Sequence, residues 1–365
     1  MKVRGLIRRV FTAGVFAASV MALMSGKEVS AMEPGAGVNI PVIDVNSATQ
    51  VQTGQMTGAV AATPSQTAAI PGTIQPLPAV PDIKLPKINT NPLLPQIPVL
   101  TESQNGQNVN ADINAAPVTV DLIIFAGQSN MSGNGGNAAL APVVPIGHGF
   151  EYRPSNSPNA LYPIVEPFGR YEGGYVSDSP SYQNGTLVSA FVNTYFSKTG
   201  VPVVGVCATH GGTDSFYWAN SATKADMVSR LVKTKAYLEK NNYKVRRKFL
   251  VFLQGESDAV KGISETDYKN NLIAAFQPLF ANGLEQVFLI TPGYASNGVF
   301  SYDEVVKAQV DLCNSNNLFT LGSQLLHSPS MNGYLNDTVH YNQQGLNMVG
   351  ANAAAYVAAY ANGGM

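Results

Sequence analysis

The chain has 365 residues, 22 of them Lys or Arg and 23 Asp or Glu, for a net charge of −1 and a charged fraction of 12%. That balance excludes the concentrated basic surface by which a nucleic-acid binder neutralises phosphates. The length admits two domains, but the aromatic residues confine the folded part to one stretch.

At the N-terminus, Lys2, Arg4, Arg8 and Arg9 precede an apolar run from Val10 to Met24, and Val29-Ser30-Ala31 offers small residues for cleavage. Residues 1–31 are therefore expected to be an export signal, and the protein to be secreted or held in the cell envelope. The apolar run is short and soon interrupted, which favours a cleaved signal over an uncleaved membrane anchor. Residues 32–117 contain no Phe, Tyr or Trp but 12 of the 23 prolines. Such a segment cannot bury enough apolar surface to offset its ordering entropy, so a disordered or extended linker is expected. From Val118 to Met365 the aromatics suffice for one core.

Apolar runs predict strands at Val118–Phe125, Val201–Cys207, Phe249–Leu253, Gln286–Thr291 and Leu318–Leu321. Helical periodicity fits Thr186–Phe196, Ala222–Lys240, Asp267–Phe280, Asp303–Cys313 and Gln343–Tyr360. Alternation of the two predicts an α/β fold with a parallel sheet covered on both faces. In such sheets the site lies beyond the carboxyl ends of the strands. Between Pro142 and Asn184 the pattern is irregular and rich in Pro, Ser, Tyr and Gly, which reads as a long loop. Its aromatics favour an ordered lid or substrate wall over an ordinary surface excursion. Cys207 and Cys313 are expected to be buried thiols rather than a disulfide.

The chemistry starts at Ser129, in Asp121-Leu-Ile-Ile-Phe-Ala-Gly-Gln-Ser129-Asn-Met-Ser-Gly133. A strand that stops at Gly127 fixes the hydroxyl, and the turn exposes it. Serine needs a base to take its proton. His340, three residues after Asp337 and just before the last helix, is the best candidate. Asp337 would reach Nδ1, set the tautomer and stabilise the imidazolium. Two further strand ends carry donors. His210-Gly211-Gly212-Thr213 allows close backbone approach and an N–H for an oxyanion, and Gln254-Gly255-Glu256-Ser257-Asp258 places a side-chain amide. Glu256 and Asp258 are expected to brace their loop, with Glu256 kept as a second orienter of His340. Trp218 and His210 are candidates for contact with a sugar, though core packing suits a lone Trp at least as well. His148 and His327 show no evident partner.

Gly127-Gln-Ser-Asn-Met131, Gly211-Gly212-Thr213, Gln254-Gly-Glu-Ser-Asp258 and Asp337-x-x-His340 together resemble the four blocks of the SGNH hydrolases. More narrowly, they resemble sialate O-acetylesterase-like and carbohydrate esterase family 6-like acetylesterases. The resemblance covers about Val118 to Tyr360 and implies a flavodoxin-like three-layer α/β/α sandwich that removes O-acetyl groups from sugars. It implies Ser129 as nucleophile, Asp337 and His340 as orienter and base, and the Ser129 N–H, Gly212 and Gln254 as oxyanion donors. Gln128 stands where the wider superfamily has Asp, and Gln254 where it has Asn; both are normal for the acetylesterase branch. His210 adds a residue before the glycine pair, which leaves open whether Gly211 or Gly212 faces the oxyanion.

Gly133-Asn-Gly135-Gly-Asn-Ala138 matches a dinucleotide fingerprint, but five residues separate it from the strand end, where none should. No phosphate loop, His-Glu-x-x-His or Cys-x-x-Cys is present, so neither cofactor nor metal is expected. The expected partner is an acetylated carbohydrate: a plant polysaccharide, sialic acid or a microbial glycan. A non-catalytic carbohydrate-binding or envelope protein on the same fold is the alternative.

Overall fold

The computed structural model describes residues 116–364 apart from Asn297 and Val299, so the expected signal and linker lie outside the described residues. Strands β1 (Val118–Gly127), β2 (Gly149–Arg153), β3 (Ser157–Pro163), β4 (Val203–Thr209), β5 (Tyr243–Leu253), β6 (Gln286–Ile290) and β7 (Phe319–Ser323) form one sheet. Its order is β3-β2-β4-β1-β5-β6-β7. Only β3 runs antiparallel to its neighbour; the other pairings are parallel. Setting the β2–β3 hairpin aside, the order is that of a flavodoxin-like doubly wound fold. The strand order reverses at β1, which makes its carboxyl end the crevice.

Eight α-helices are described: α1 (Ser129–Ser132), α2 (Val188–Thr199), α3 (Ser215–Ala219), α4 (Ser221–Lys240), α5 (Glu256–Lys261), α6 (Glu265–Ala281), α7 (Asp303–Ser315) and α8 (Gln343–Ala361). Period-two alternation divides β1 between two cores. Leu122, Ile124 and Ala126 pack with α4, α6 and α7 on one face. Ile123 and Phe125 pack with α2 and α8 on the other. Each of the Leu, Ile and Phe side chains, fully buried, contributes about 1.5–3 kcal/mol. Strand and helix positions agree with the sequence expectations to within a few residues, except that β5 begins earlier, at Tyr243. The three-layer α/β/α sandwich is therefore observed directly.

The insert departs from its expected irregularity. Its residues form β2 and β3, and β2 extends the sheet by pairing with β4 from Gly149↔Val203 to Glu151↔Gly205. Pro158 and Pro163 disguise β3 as loop, yet β3 is an edge strand, where a missing N–H costs no ladder bond. Farther along, the Glu166 carboxylate accepts from the Thr186 and Ser189 N–H groups and hydroxyls, at 2.7–3.2 Å. It thereby ties the insert to the start of α2. Cys207 and Cys313 are free thiols, and burial raises both to about 12. They belong to opposite faces of the sheet, so they are too far apart in the layers to pair. Among the described residues, no helix is long and apolar enough to cross a membrane.

Gly127 ends β1 at φ +146°, and a Cβ there would lie 2.0 Å from the Leu253 carbonyl oxygen of β5. Both the dihedral and the contact demand glycine. Gly127→Ala should therefore lower unfolding stability by about 3 kcal/mol or more in urea titrations. A loss below about 1 kcal/mol would show that the strand end tolerates a side chain.

Candidate active site

Past Gly127 the chain stays extended through Gln128 and then turns into α1, with Ser129 as its first residue. Gly133, at φ +81°, closes this single turn. Ser129 is only 4% exposed, at the carboxyl edge of the central strand.

His340 comes from the loop before α8. Its Nδ1 lies 2.8 Å from Asp337 Oδ2, and Asp337 Oδ1 accepts the N–H groups of Val339 (2.9 Å) and His340 (2.7 Å). One carboxylate thus shapes the turn and aligns the ring. Burial alone would raise the Asp337 carboxyl, but the His340 hydrogen bond, the backbone N–H groups and the imidazole charge outweigh it and hold it at about 2. A donor at Nδ1 leaves Nε2 as the acceptor a general base requires. No Ser129–His340 hydrogen bond forms among the described residues; such contacts commonly close only with substrate present.

Asn130 joins the two halves of the site. Its Oδ1 accepts the Tyr341 N–H at 3.0 Å, and its Nδ2 donates to the Val339 carbonyl at 3.1 Å. These bonds grip His340 from both sides, across more than two hundred residues of sequence. The same Nδ2 donates to Glu256 Oε1 at 2.7 Å. Burial raises the Glu256 carboxyl, opposed by the Asn130 hydrogen bond, its own N–H and His340. Asp337, not Glu256, makes the hydrogen bond to the imidazole.

The glycine turn sits opposite. Gly211 N–H lies 3.0 Å from both carboxylate oxygens of Asp178, a residue of the insert that the sequence did not single out. Ser132 Oγ donates to the same carboxylate. Gly212 is left-handed at φ +69°. Neither its N–H nor that of Ser129 has an acceptor among the described residues. Gly212 is thus the member of the pair left available to an oxyanion.

Gln254 was expected to aim its amide at the same place. It is fully buried, and its Nε2 faces Thr213 O (3.0 Å), Gln128 Oε1 (3.3 Å) and the Asp258 carboxylate. Two N–H bonds already meet three acceptors, so an oxyanion would have to displace one of them. Its Oε1 accepts from Tyr268 at 3.1 Å, which pins the amide from behind. Asp258 also takes the Ser215 N–H and hydroxyl, bracing the start of α3. Burial raises its carboxyl to about 6, against the hydrogen bonds from Ser215 and Gln254.

Trp218 does not reach the cleft: it is 1% exposed, donates to Thr213 Oγ1 at 3.1 Å and packs edge-on against Phe252. His210 lies at the turn, with Nδ1 3.1 Å from Ser177 O and its ring stacked on Tyr217. The remaining histidines have contacts the sequence did not reveal. His327 Nε2 meets Asp303 at 3.2 Å, and His148 stacks on Phe196. Asn130 was legible as part of Gly-Gln-Ser-Asn-Met; Asp178 had no local signal.

Fold and constellation together define a three-layer α/β/α sandwich with a serine, linked through Asn130 to a histidine–carboxylate pair, at its strand ends. The family model described as carbohydrate esterase, sialic acid-specific acetylesterase (SASA) matches residues 119–359, and the chain belongs to that family. It is a carbohydrate O-acetylesterase. Solved structures it is similar to include a protein from Arabidopsis thaliana (19% identity, 66% of this chain and 98% of that one, TM-score 0.45). Another is a catalytic mutant of the acetylxylan esterase Axe2 from Geobacillus stearothermophilus (14% identity, 66% and 95%, TM-score 0.40). A third is a carbohydrate acetylesterase from Xanthomonas citri (15% identity, 67% and 57%, TM-score 0.42). No curated protein matches the chain.

Two consequences can be measured. Asn130→Ala releases the histidine loop, and kcat on an activated acetyl ester should fall about 100-fold with KM changed less than about threefold. A kcat within about twofold of wild type would mean the loop holds itself. Asp258 bears on stability against pH. Its raised pKa means the folded state keeps a proton that the unfolded chain loses above pH 3.8. Its contribution is present below that point, declines as pH rises toward about 6, and then levels off. The change is about 3 kcal/mol. Urea titrations from pH 4 to 7 should show this decline in wild type and a shallower one in Asp258→Asn; equal slopes would refute it.

Proposed function

We propose that this chain is an exported serine esterase that deacetylates carbohydrate through an acetyl-serine intermediate. The observation that carries this reading is the grip of Asn130, adjacent to Ser129, on both flanks of His340. It supports Ser129 as nucleophile and His340, oriented by Asp337, as base within one crevice. The basic and apolar N-terminal run supports export.

His340 Nε2 removes the Ser129 proton as Oγ attacks the acetyl carbonyl. Negative charge gathers on the carbonyl oxygen, where the Ser129 and Gly212 N–H groups receive it. Each such donor lowers the barrier by about 3 kcal/mol in a site shielded from water. The imidazolium, stabilised by Asp337, returns the proton to the departing sugar oxygen. Water then attacks the acetyl-serine with His340 again as base, and acetate leaves. In this reading Gln254 holds Thr213 and Asp258 in place and so supports the glycine turn from behind.

Acetate release from 4-nitrophenyl acetate and from acetylated glycans tests the proposal. Ser129→Ala should lower kcat/KM by at least about 10³-fold with the fold intact by circular dichroism. Equal release by wild type and Ser129→Ala would leave the non-catalytic binding protein as the better reading.

A further inference from the structure

The segment between Tyr175 and Asp178 belongs to the insert, and the mechanism makes no use of it. It is held firmly. Arg230, 1% exposed, donates to the Val176 carbonyl at 2.9 Å and to Cys207 O at 2.7 Å. The Val176 N–H donates to Asp226 at 2.9 Å. A buried guanidinium with this many acceptors locates the chain it binds, whatever its net energy. The segment is therefore fixed in place, and through Ser177 and Asp178 it borders the glycine turn.

Two features of this segment bear on a ligand. Tyr175 is 51% exposed and stacks on Tyr217 with centroids 5.8 Å apart and planes 7° apart. Tyr217 in turn stacks on His210 at 5.1 Å, so an aromatic ladder leads down to the glycine turn. At its foot lies the Asp178 carboxylate. A methyl group placed at Gly211 would touch both the Asp178 oxygens, at 3.6 Å, and Ser129 Cβ, at 3.7 Å. The carboxylate and the Ser129 side chain thus both border the same point beside Gly211. Gly211 N–H and Ser132 Oγ fix it, but among the described residues no Lys, Arg or His forms an ion pair with it.

We propose that the 175–178 segment is the subsite for the sugar ring that carries the acetyl group, and that it selects uncharged sugars over anionic ones. The inference rests on the esterase reading above. An apolar ring face suits the C–H face of a pyranose. The carboxylate retains lone pairs for sugar hydroxyls. A sugar carboxylate in the same place meets like charge, and like-charge juxtaposition sets specificity more than affinity. At about 7 Å in a partly solvated cleft, the penalty corresponds to a preference of about tenfold. Asp178 supplies the discrimination.

A matched pair of substrates tests this: O-acetylated methyl glucoside and O-acetylated methyl glucuronide, which differ only in the carboxylate. Wild type should favour the glucoside by about tenfold in kcat/KM at low salt, the ratio shrinking toward about 0.5 M salt. Asp178→Asn, which keeps a side-chain acceptor for Gly211, should bring the ratio to within about threefold of unity. A wild-type ratio near or below one overturns the proposal, as does a ratio unchanged in Asp178→Asn. If wild type fails to release Ser129-dependent acetate even from 4-nitrophenyl acetate, the esterase reading itself has failed, and that result is distinct from either.

Discussion

The close approach of β1 and β5 governs the site. Gly127 lies so near the Leu253 carbonyl that no side chain fits between them. The two strands therefore end together, and the chain leaves the sheet in a conformation open only to glycine. Gln128 continues the contact by accepting from Gln254 Nε2 and lying within 3.5 Å of the Gly255 N–H. Ser129, just past the end of β1, and the Gln254 loop, just past the end of β5, then meet at the crevice that the strand order creates. Everything catalytic is placed relative to that junction.

From this junction Asn130 reaches outward and fetches the histidine. The histidine loop exposes Asp337 but buries Val339 and Tyr341, the two neighbours of His340, in the apolar core. Hydrogen bonds add to that packing, and two of them come from Asn130, the residue next to the nucleophile. Asp337 adds a second level of order by using one oxygen for the backbone and the other for the ring.

Charge in the site is arranged by burial. The exposed side of the crevice holds Asp337, kept ionised by its hydrogen bonds, while Glu256 and Asp258 beneath are pushed upward by desolvation. The carboxylate that pairs with the imidazole is thus held low, whereas those buried beneath are raised. The buried ones act through hydrogen bonds to Asn130, Gln254 and Ser215. On the opposite wall, Arg230 is consumed in anchoring the insert, so its charge is not available to a substrate.

Periodicity alone located five of the seven strands and the five long helices, because burial on both faces writes long apolar runs and a covering helix writes a 3.6-residue stripe. The motifs brought Ser129, Asp337 and His340 into view, since strand-end serines and an Asp three residues before a His are local patterns. The β2–β3 hairpin was hidden because its edge strand carries prolines, and its pairing with β4 is a tertiary event. Trp218 was ambiguous until its indole N–H was found on Thr213 within the core. The direction of the Gln254 amide, the availability of Gly212 rather than Gly211, and the presence of Asp178 beside Ser129 were decided only by the fold. A sequence names donors and acceptors, but which donor meets which acceptor depends on distances between segments remote along the chain.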